Sequence, residues 1–438
     1  MKRKLFFNII IITLILCLLS SCKIQTPEGY GEAIVAQAKA LNYSEASEKI
    51  SEASGLAVSA EFLKDFGDEP VKSLLEQVEN GSYTELSWLE TLGYSYHVIS
   101  DMLSGKIDSK NIENRGDNGK DTFSFAFVGD ILFDPDYAPM VHSYEKGGVI
   151  NCIDKAVVDY LNACDIFLIN NEFSIGERGA PLKGKTWTFQ AHPDRIQIFK
   201  DLGADIVSLA NNHVYDYGLE GFADTMYHLK NAGMPYVGAG MNVGEAAEGY
   251  YFIVNGIKVG VVAASRAEKV YFTPVATNND AGVMGTYESE RFIKAIKVAD
   301  EQCDFLIAYV HWGTENSTVL EDAQKTMARE YIDAGVDAVI GGHTHCLQGM
   351  DFYKGAPIIY SVGNFWFNSK TLDSCVITLN FDRKMNVQTT IMPLKQQGCE
   401  TRLLSDPEDS RALFDRVESY EPQGVKISDS GVITPVSR

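Results

Sequence analysis

The sequence predicts an α/β domain with a buried, largely parallel sheet, preceded by a small all-α module. Three observations carry this. From residue 121 on, short apolar runs at 123–129, 164–170, 205–210, 303–310, 336–341 and 357–362 alternate with amphipathic stretches such as 192–202, 218–231, 287–301 and 319–333. Strands covered by helices on both faces read as continuous apolar runs, and parallel neighbours need a crossover between them. Before that region, over residues 31–104, apolar residues recur three and four apart: Phe62, Phe66, Val71, Leu74, Leu75 and Val78, then Leu86, Leu89, Leu92 and Tyr96. That is helical spacing. Between the two textures, residues 105–120 (GKIDSKNIENRGDNGK) are polar and without apolar periodicity, which predicts a linker.

Two antiparallel elements are expected inside the α/β region. Tyr251–Val254 and Lys258–Val262 flank Asn255-Gly256, the dipeptide favoured by tight hairpin turns. A second hairpin is expected around Cys375–Leu394, turning near Asp382-Arg383-Lys384. From residue 399 to 438 the chain is polar and weakly periodic, so a loosely ordered tail with one helix at 407–418 is predicted.

The N-terminus has the features of a targeting segment. Lys2, Arg3 and Lys4 precede an apolar run from Leu5 to Leu19, broken only by Asn8 and Thr13, and then come Ser20, Ser21 and Cys22. Residues 1–21 therefore read as a signal peptide, with an apolar stretch short for a spanning helix. Leu19-Ser20-Ser21-Cys22 resembles a bacterial lipobox, in which cleavage leaves a lipid-modified Cys22 at the new N-terminus. The alternative is a plain secretory signal beside a chance cysteine. The expectation is an exported, extracytoplasmic protein anchored to the cell membrane through lipid, with residues 22–30 as a tether.

Removing three positive and no negative charges with the signal takes the net charge from −21 to −24. Nucleic acid is excluded as a partner, because phosphate contacts need clustered Lys and Arg. Direct adhesion to an anionic membrane surface is disfavoured for the same reason. Of the eight cysteines, those outside the signal and the lipobox are Cys152, Cys164, Cys303, Cys346, Cys375 and Cys399. None shows metal-type pairing such as C-x-x-C, and disulfides or buried thiols are both open.

The chemistry lies where the apolar runs stop. Strand 123–128 runs into Gly129-Asp130, 164–169 into Asn170-Asn171-Glu172, and 205–210 into Asn211-Asn212-His213. Strand 303–310 ends in His311-Trp312-Gly313, 336–340 in Gly341-Gly342-His343-Thr344-His345, and 357–362 in Gly363-Asn364. Sheets of this class bind ligands at the carboxyl ends of their strands. One edge thus collects Asp130, Glu172, Asn212, His213, His311, His343, His345 and Asn364. Carboxylate, imidazole and amide oxygen together suit a divalent cation (Zn, Mn or Fe, with Mg possible), against the alternative of a polar network capping the sheet. Asp216 and Glu315 could orient His213 and His311 from behind, or be ordinary loop acids. Lys185, Trp187, Phe189 and Gln190 could line a substrate cleft, and Trp366 could belong to its rim or to the core. Gly129, Gly342 and Gly363 let the backbone turn beside a crowded site.

The segments GD at 129–130, NNE at 170–172, SLANNHVYDYG at 208–218, HWGTE at 311–315, GGHTH at 341–345 and SVGNFWF at 361–367 resemble, in order, the motifs of the CapA family, and GAG at 238–240 also fits. CapA proteins are bacterial capsule proteins linked to poly-γ-glutamate synthesis, and their domain resembles the calcineurin-like metallophosphoesterases. The similarity covers roughly residues 121–395, so a CapA-like domain is expected over 121–398. It implies an αββα sandwich of two stacked sheets. It further implies Asp130, Glu172, Asn212, His311, His343 and His345 as metal ligands, Glu172 as the carboxylate bridging two metals, and His213 as the catalytic acid or charge stabiliser. Where the phosphoesterases carry a further ligand histidine, two residues after the first aspartate, this chain has Leu132; one metal position has lost a ligand, and one or two ions are expected.

The function implied is capsule or poly-γ-glutamate biosynthesis or export with a metal-dependent, hydrolase-type site. Its partners would be an extracellular anionic polymer or a small phosphoester, the membrane through the anchor, and other capsule-synthesis membrane proteins. Two alternatives stay open: a general metallophosphoesterase on nucleotides or cell-wall phosphoesters, and a non-catalytic polymer-binding scaffold at the surface.

Overall fold

Successive side chains of the strand Thr122–Ile131 point to opposite faces: Phe123, Phe125 and Phe127 enter one apolar cluster, Ala126 and Val128 another. This double burial organises the molecule. The computed structural model describes residues 41–92, 96–103, 107–109, 111–268 and 271–436, and one compact unit begins at Tyr43. The signal peptide, Cys22, the tether at 22–30 and the start of the helical module lie outside the described residues. No described helix is long and apolar enough to cross a membrane.

Two eight-stranded sheets stack face to face. Sheet I runs, edge to edge, Ile107–Ser109, Ile112–Gly116, Tyr250–Val254, Ile257–Ser265, Phe305–His311, Ala338–Gly342, Ala356–Ile359 and Met350–Tyr353. Its centre, from Ile257–Ser265 to Ala356–Ile359, is parallel. Sheet II runs Glu400–Leu403, Val387–Gln397, Leu372–Asp382, Thr122–Ile131, Ile166–Asn171, Ile206–Ser208 and Tyr236–Val237, with Asn364–Trp366 pairing off the end of Thr122–Ile131. Here the half from Thr122–Ile131 to Tyr236–Val237 is parallel and the other half antiparallel.

Between the sheets lies one core, where Phe125, Phe127 and Ile377 of sheet II meet Val259, Ile307 and Ile340 of sheet I. The outer face of sheet II is covered by Ala138–Lys146, Lys155–Ala163, Ile196–Asp201 and Gly218–Asn231, through Met140, Leu161, Phe199 and Phe222 among others. Glu290–Asp300 and Asp322–Asp333 cover sheet I through Phe292, Ile296, Met327 and Tyr331. The result is the expected helix–sheet–sheet–helix sandwich. Both expected hairpins are present. Asn255 (φ 55°) and Gly256 (φ 80°) make the first turn, and Asp382 Oδ1 accepts from the Lys384 and Asn386 amides to shape the second.

The helical module contributes Tyr43–Ser54, Ala60–Lys64, Asp68–Glu79, Leu86–Leu92 and Tyr96–Leu103. Ile50, Leu63, Val71, Leu74 and Trp88 are buried, and Ser59 caps its helix by accepting from the Phe62 amide.

Two expectations need correction. The segment read as a linker, 105–120, supplies the strands Ile107–Ser109 and Ile112–Gly116, the latter parallel to Tyr250–Val254. Ile112–Arg115 is only half-buried, so no apolar alternation betrays it. Its pairing with Tyr250–Val254 is reinforced by Arg115, whose guanidinium pairs with Glu113 and Asp205 and donates to the Asp165 carbonyl. The tail read as loosely ordered is built into the fold. Glu400–Leu403 extends sheet II, and Pro407–Ser419, capped by Asp406, buries Leu413, Phe414 and Val417. A small hairpin of Val425–Ile427 and Ile433–Pro435 follows, and its Val425, Ile427 and Ile433 join the inter-sheet core. Val425 and Ile427 alternate about Lys426, but a run of three residues is too short to mark a strand by periodicity. All six cysteines named above are free thiols, with Cys152, Cys375 and Cys399 buried.

Candidate metal centre

Because the central strands of both sheets are parallel, their carboxyl ends fall along one rim. Sheet II delivers Asp130 from Thr122–Ile131, Glu172 just past Ile166–Asn171, and Asn212 and His213 in the turn after Ile206–Ser208. Sheet I delivers His311 as the last residue of Phe305–His311, and His343 and His345 in the turn after Ala338–Gly342. Close backbone approach makes this possible. A Cβ on Gly129 would lie 1.8 Å from the Gly363 carbonyl oxygen. Without one, Asp130 N donates to that oxygen at 3.1 Å, and Asn364 pairs beside Asp130. A Cβ on Gly342 would come within 2.8 Å of the Tyr309 hydroxyl and 3.2 Å of Asp130 Oδ1. His343 (φ 91°) and His345 (φ 56°) occupy left-handed backbone, an uncommon conformation for residues with a Cβ.

The side chains converge. Glu172, His311 and His343 each present a ligand atom within 4.8 Å of the others, and so do Asp130, Glu172 and His345; Glu172 belongs to both sets. His311 Nε2 lies 2.8 Å from Asn212 Oδ1, 3.4 Å from Glu172 Oε1 and 3.1 Å from His343 Nδ1. His345 Nδ1 lies 3.2 Å from Asp130 Oδ2 and 2.9 Å from Asn364 Oδ1. All six of the expected ligands are buried.

His213 stands beside this cluster. Its Nδ1 is 2.7 Å from Asp216 Oδ2, and its ring tilts against Phe189 at 4.6 Å between centroids. Asp216 also accepts from the Phe189 amide at 2.8 Å and pairs with Lys185 Nζ at 2.8 Å. The Lys185 side chain, only 4% exposed, reaches Glu268 at 3.0 Å and the Asn212 carbonyl. The structure thus brings together Asp130, Glu172, Asn212, His213, His311, His343, His345, Asn364, Asp216, Lys185 and Phe189.

Others fall elsewhere. Glu315 is exposed, and the His311 ring nitrogens face Asn170 on one side and Asn212, Glu172 and His343 on the other; the expected support of His311 by Glu315 is absent. Trp366 is core, with Nε1 donating to the Cys399 carbonyl. Trp187 is exposed, edge-on to Tyr137. Gln190 donates from Nε2 to the Arg178 carbonyl. Leu132 packs into the core under the helices of sheet II.

Several site residues went unassigned in the sequence. Asn170 Nδ2 donates to Asp130 Oδ1 at 2.8 Å and lies 3.4 Å from both Glu172 and His311. Asn211 donates to Asn170 and to the Asn171 carbonyl and accepts the His213 and Val214 amides. Both sat in plain view within the NNE and NNH motifs. Tyr309 lies two residues before His311 on the same strand face, and its buried hydroxyl has no hydrogen-bond partner among the described residues. Glu268 and Thr273, which meet Lys185 and Asn212 from a loop after sheet I, carried no signal.

Burial dominates the electrostatics. It pushes the Glu172 carboxyl well up, and the neighbouring Asp130 charge pushes it further. Burial also acts to raise Asp130, but the His345 hydrogen bond and the nearby imidazole charges outweigh it and hold Asp130 low. His311 is driven down to about 3 by burial, and His343 is lowered by burial and then by its histidine neighbours. For His345 burial pulls downward, yet the Asp130 hydrogen bond wins and raises it.

A divalent cation fits this arrangement. Glu172 Oε1 is buried without a hydrogen-bond partner among the described residues, a costly state for a carboxylate oxygen that a cation relieves. At His311 and His343 burial favours the neutral imidazole, the form that ligates metals.

Residues 124–369 match the family described as bacterial capsule synthesis protein PGA_cap. The chain is 28% identical over 298 residues to the PGA biosynthesis protein CapA of Bacillus subtilis (strain 168), covering 67% of this chain and 76% of that one. It is 26% identical over 311 residues to the capsule biosynthesis protein CapA of Bacillus anthracis, covering 69% and 74%. A solved hypothetical protein from Thermus thermophilus aligns with a TM-score of 0.39 and 14% identity, over 62% of this chain and 99% of that one. With its motifs gathered at one rim and more than half its length matched, the chain belongs to the bacterial capsule synthesis protein family PGA_cap.

Proposed function

We propose that this protein is a lipid-anchored, extracytoplasmic factor in the assembly, release or export of a poly-γ-glutamate capsule, with a metal-dependent, hydrolase-type centre. The single observation that carries the reading is that Glu172 is shared by two buried ligand sets, one completed by His311 and His343 and the other by Asp130 and His345. The two Bacillus relatives, named for PGA and capsule biosynthesis, support the polymer.

Asp130, Glu172, Asn212, His311, His343 and His345 would hold the metal. When bound, a divalent ion supplies Lewis-acid stabilisation of charge developing on a substrate oxygen. The chain's own residues do the rest. His213 Nδ1 is held by Asp216, so Nε2 is the nitrogen left to give a proton to the leaving atom as the ester or amide bond breaks and water adds its hydroxyl. The Phe189 amide and Lys185 fix Asp216 in turn. Phe189 excludes water from one face of the imidazole. Cys22 would carry the acyl chains; a Cys22→Ser protein recovered from the medium supports the anchor, and one still on the membrane removes it.

A scaffold that keeps the pocket without turnover is the second reading, favoured by Leu132, which stands in the helix-side core where the phosphoesterases have a ligand. Elemental analysis of the purified full-length protein in detergent, beside a His343→Ala/His345→Ala variant, tests the centre. One or two transition-metal ions per chain, lost in the variant, are expected. No metal after reconstitution with Zn and Mn removes the hydrolase. Bound metal with no turnover of γ-glutamyl or phosphoester substrates leaves the scaffold, and rapid turnover of a generic phosphodiester points to a general phosphoesterase.

A further inference from the structure

On the helix-covered side of sheet I lies a groove of about 940 Å³ that none of the proposed ligands lines. One wall is the helix Glu290–Asp300, and the opposite wall is built from the helix Val243–Ala247, the start of Ile112–Gly116 and the loop at 277–279. Its apolar lining includes Val243, Ala247, Ala295 and Ala299 beside the larger Tyr251 and Met284. The mouth differs in chemistry. It carries the amides of Asn111, Asn278, Asn279 and Gln302 and two cations, Arg291 and Lys294.

Those cations stand in a chain where 59 Asp and Glu outnumber 38 Lys and Arg. They sit one turn apart on one helix, so they project side by side. Both are exposed, and neither forms an ion pair among the described residues; Arg291 donates only to the Ala276 carbonyl, at 3.2 Å. The one carboxylate lining the groove, Glu248, already accepts from Asn111 Nδ2 at 2.9 Å. Amide side chains both donate and accept, as a peptide-type backbone requires. Guanidinium and ammonium groups take carboxylates, and the apolar lining admits methylene stems.

We propose that this groove is a second binding site, separate from the strand-end centre, for an extended polyamide chain that carries carboxylates. The inference rests on the reading of the protein as a factor in an anionic polyamide's assembly. It gives a protein of strongly negative charge a local, cationic hold on such a chain. The polymer is held along the outer face of sheet I while the centre acts elsewhere on it.

The test is anisotropy of a labelled poly-γ-glutamate oligomer with the full-length protein in detergent, at low and physiological salt. Arg291→Glu/Lys294→Glu is expected to weaken binding about tenfold or more. Arg291→Gln/Lys294→Gln, which removes the charges without reversing them, should weaken it less. The His343→Ala/His345→Ala protein should bind as the wild type does. Equal affinity of wild type and both groove variants overturns the site, as does competition by polyphosphate as effective as that by unlabelled poly-γ-glutamate. Binding lost only in the histidine variant also overturns it, while leaving the reading of the centre intact. Failure of any protein to bind the oligomer overturns the groove, and the metal and turnover assays then judge the centre separately.

Discussion

Sheet II ends its parallel strands in acceptors (Asp130, Glu172 and Asn212), whereas sheet I ends its own in imidazoles, His311, His343 and His345. Neither sheet holds a complete ligand set. Each of the two sets takes at least one carboxylate from sheet II and one imidazole from sheet I. The centre is therefore a property of how the sheets stack, and whatever fixes the stacking also fixes the centre. At the opposite end of the strands a second cross-sheet tie contributes to that: Arg115, on the strand next to the edge of sheet I, grips Asp205 and the Asp165 carbonyl at the entrances to strands of sheet II.

The largest expected effect breaks the comparison at its shared member. Glu172→Ala removes a ligand from both sets at once, so metal affinity should fall beyond the roughly 10–100-fold that supporting partners are worth, with elemental analysis near zero metal per chain. His345→Ala touches one set only and should retain part of the metal. Equal retention in the two variants would show that Glu172 is not shared.

Next comes the tie at the far end. Arg115→Ala leaves Asp205 half-buried and unpaired, and should cost about 2–3 kcal/mol of stability in denaturant unfolding, somewhat below a fully buried pair. If the sheets are coupled as described, the same variant also loosens metal binding with no ligand altered. An unchanged metal affinity would separate stacking from the centre.

The smallest effect concerns the outer edge of sheet II. Hydrogen bonds from Lys146, then Arg402, hold the Glu400 carboxyl down at about 2, below its ordinary 4.5. A lowered folded-state value means stability that is present above pH 4.5 and is lost as pH falls from there toward 2. Glu400→Gln should flatten the acid limb of a stability profile by about 1 kcal/mol, since the pair is near the surface. A parallel acid limb in the variant would assign the loss to other carboxylates.

The centre was legible in the sequence for a physical reason. A strand buried on both faces must be apolar throughout, so a run that stops abruptly in Asp130, Asn170-Asn171-Glu172 or His311 marks the point where the chain leaves the core and meets a ligand. Residues whose role depends on packing across the chain were not legible in this way. Lys185 reads as one lysine in a loop, and only the fold buries it between Asp216 and Glu268. Ile112–Gly116 is a strand because Tyr250–Val254 offers it an edge, not because its own residues alternate. Leu132 and Glu315 lie close in sequence to ligands yet point into a core and into solvent.

The turn that carries His343 and His345 has a consequence for engineering. At both positions a side chain sits in backbone that glycine would occupy without strain, at about 1 kcal/mol or more apiece. A library selected for melting temperature alone would drift toward glycine there, and each gain would delete an imidazole. Thermal selection on this scaffold must therefore be run in parallel with a screen for bound metal, or it will yield sturdier proteins with an empty purpose.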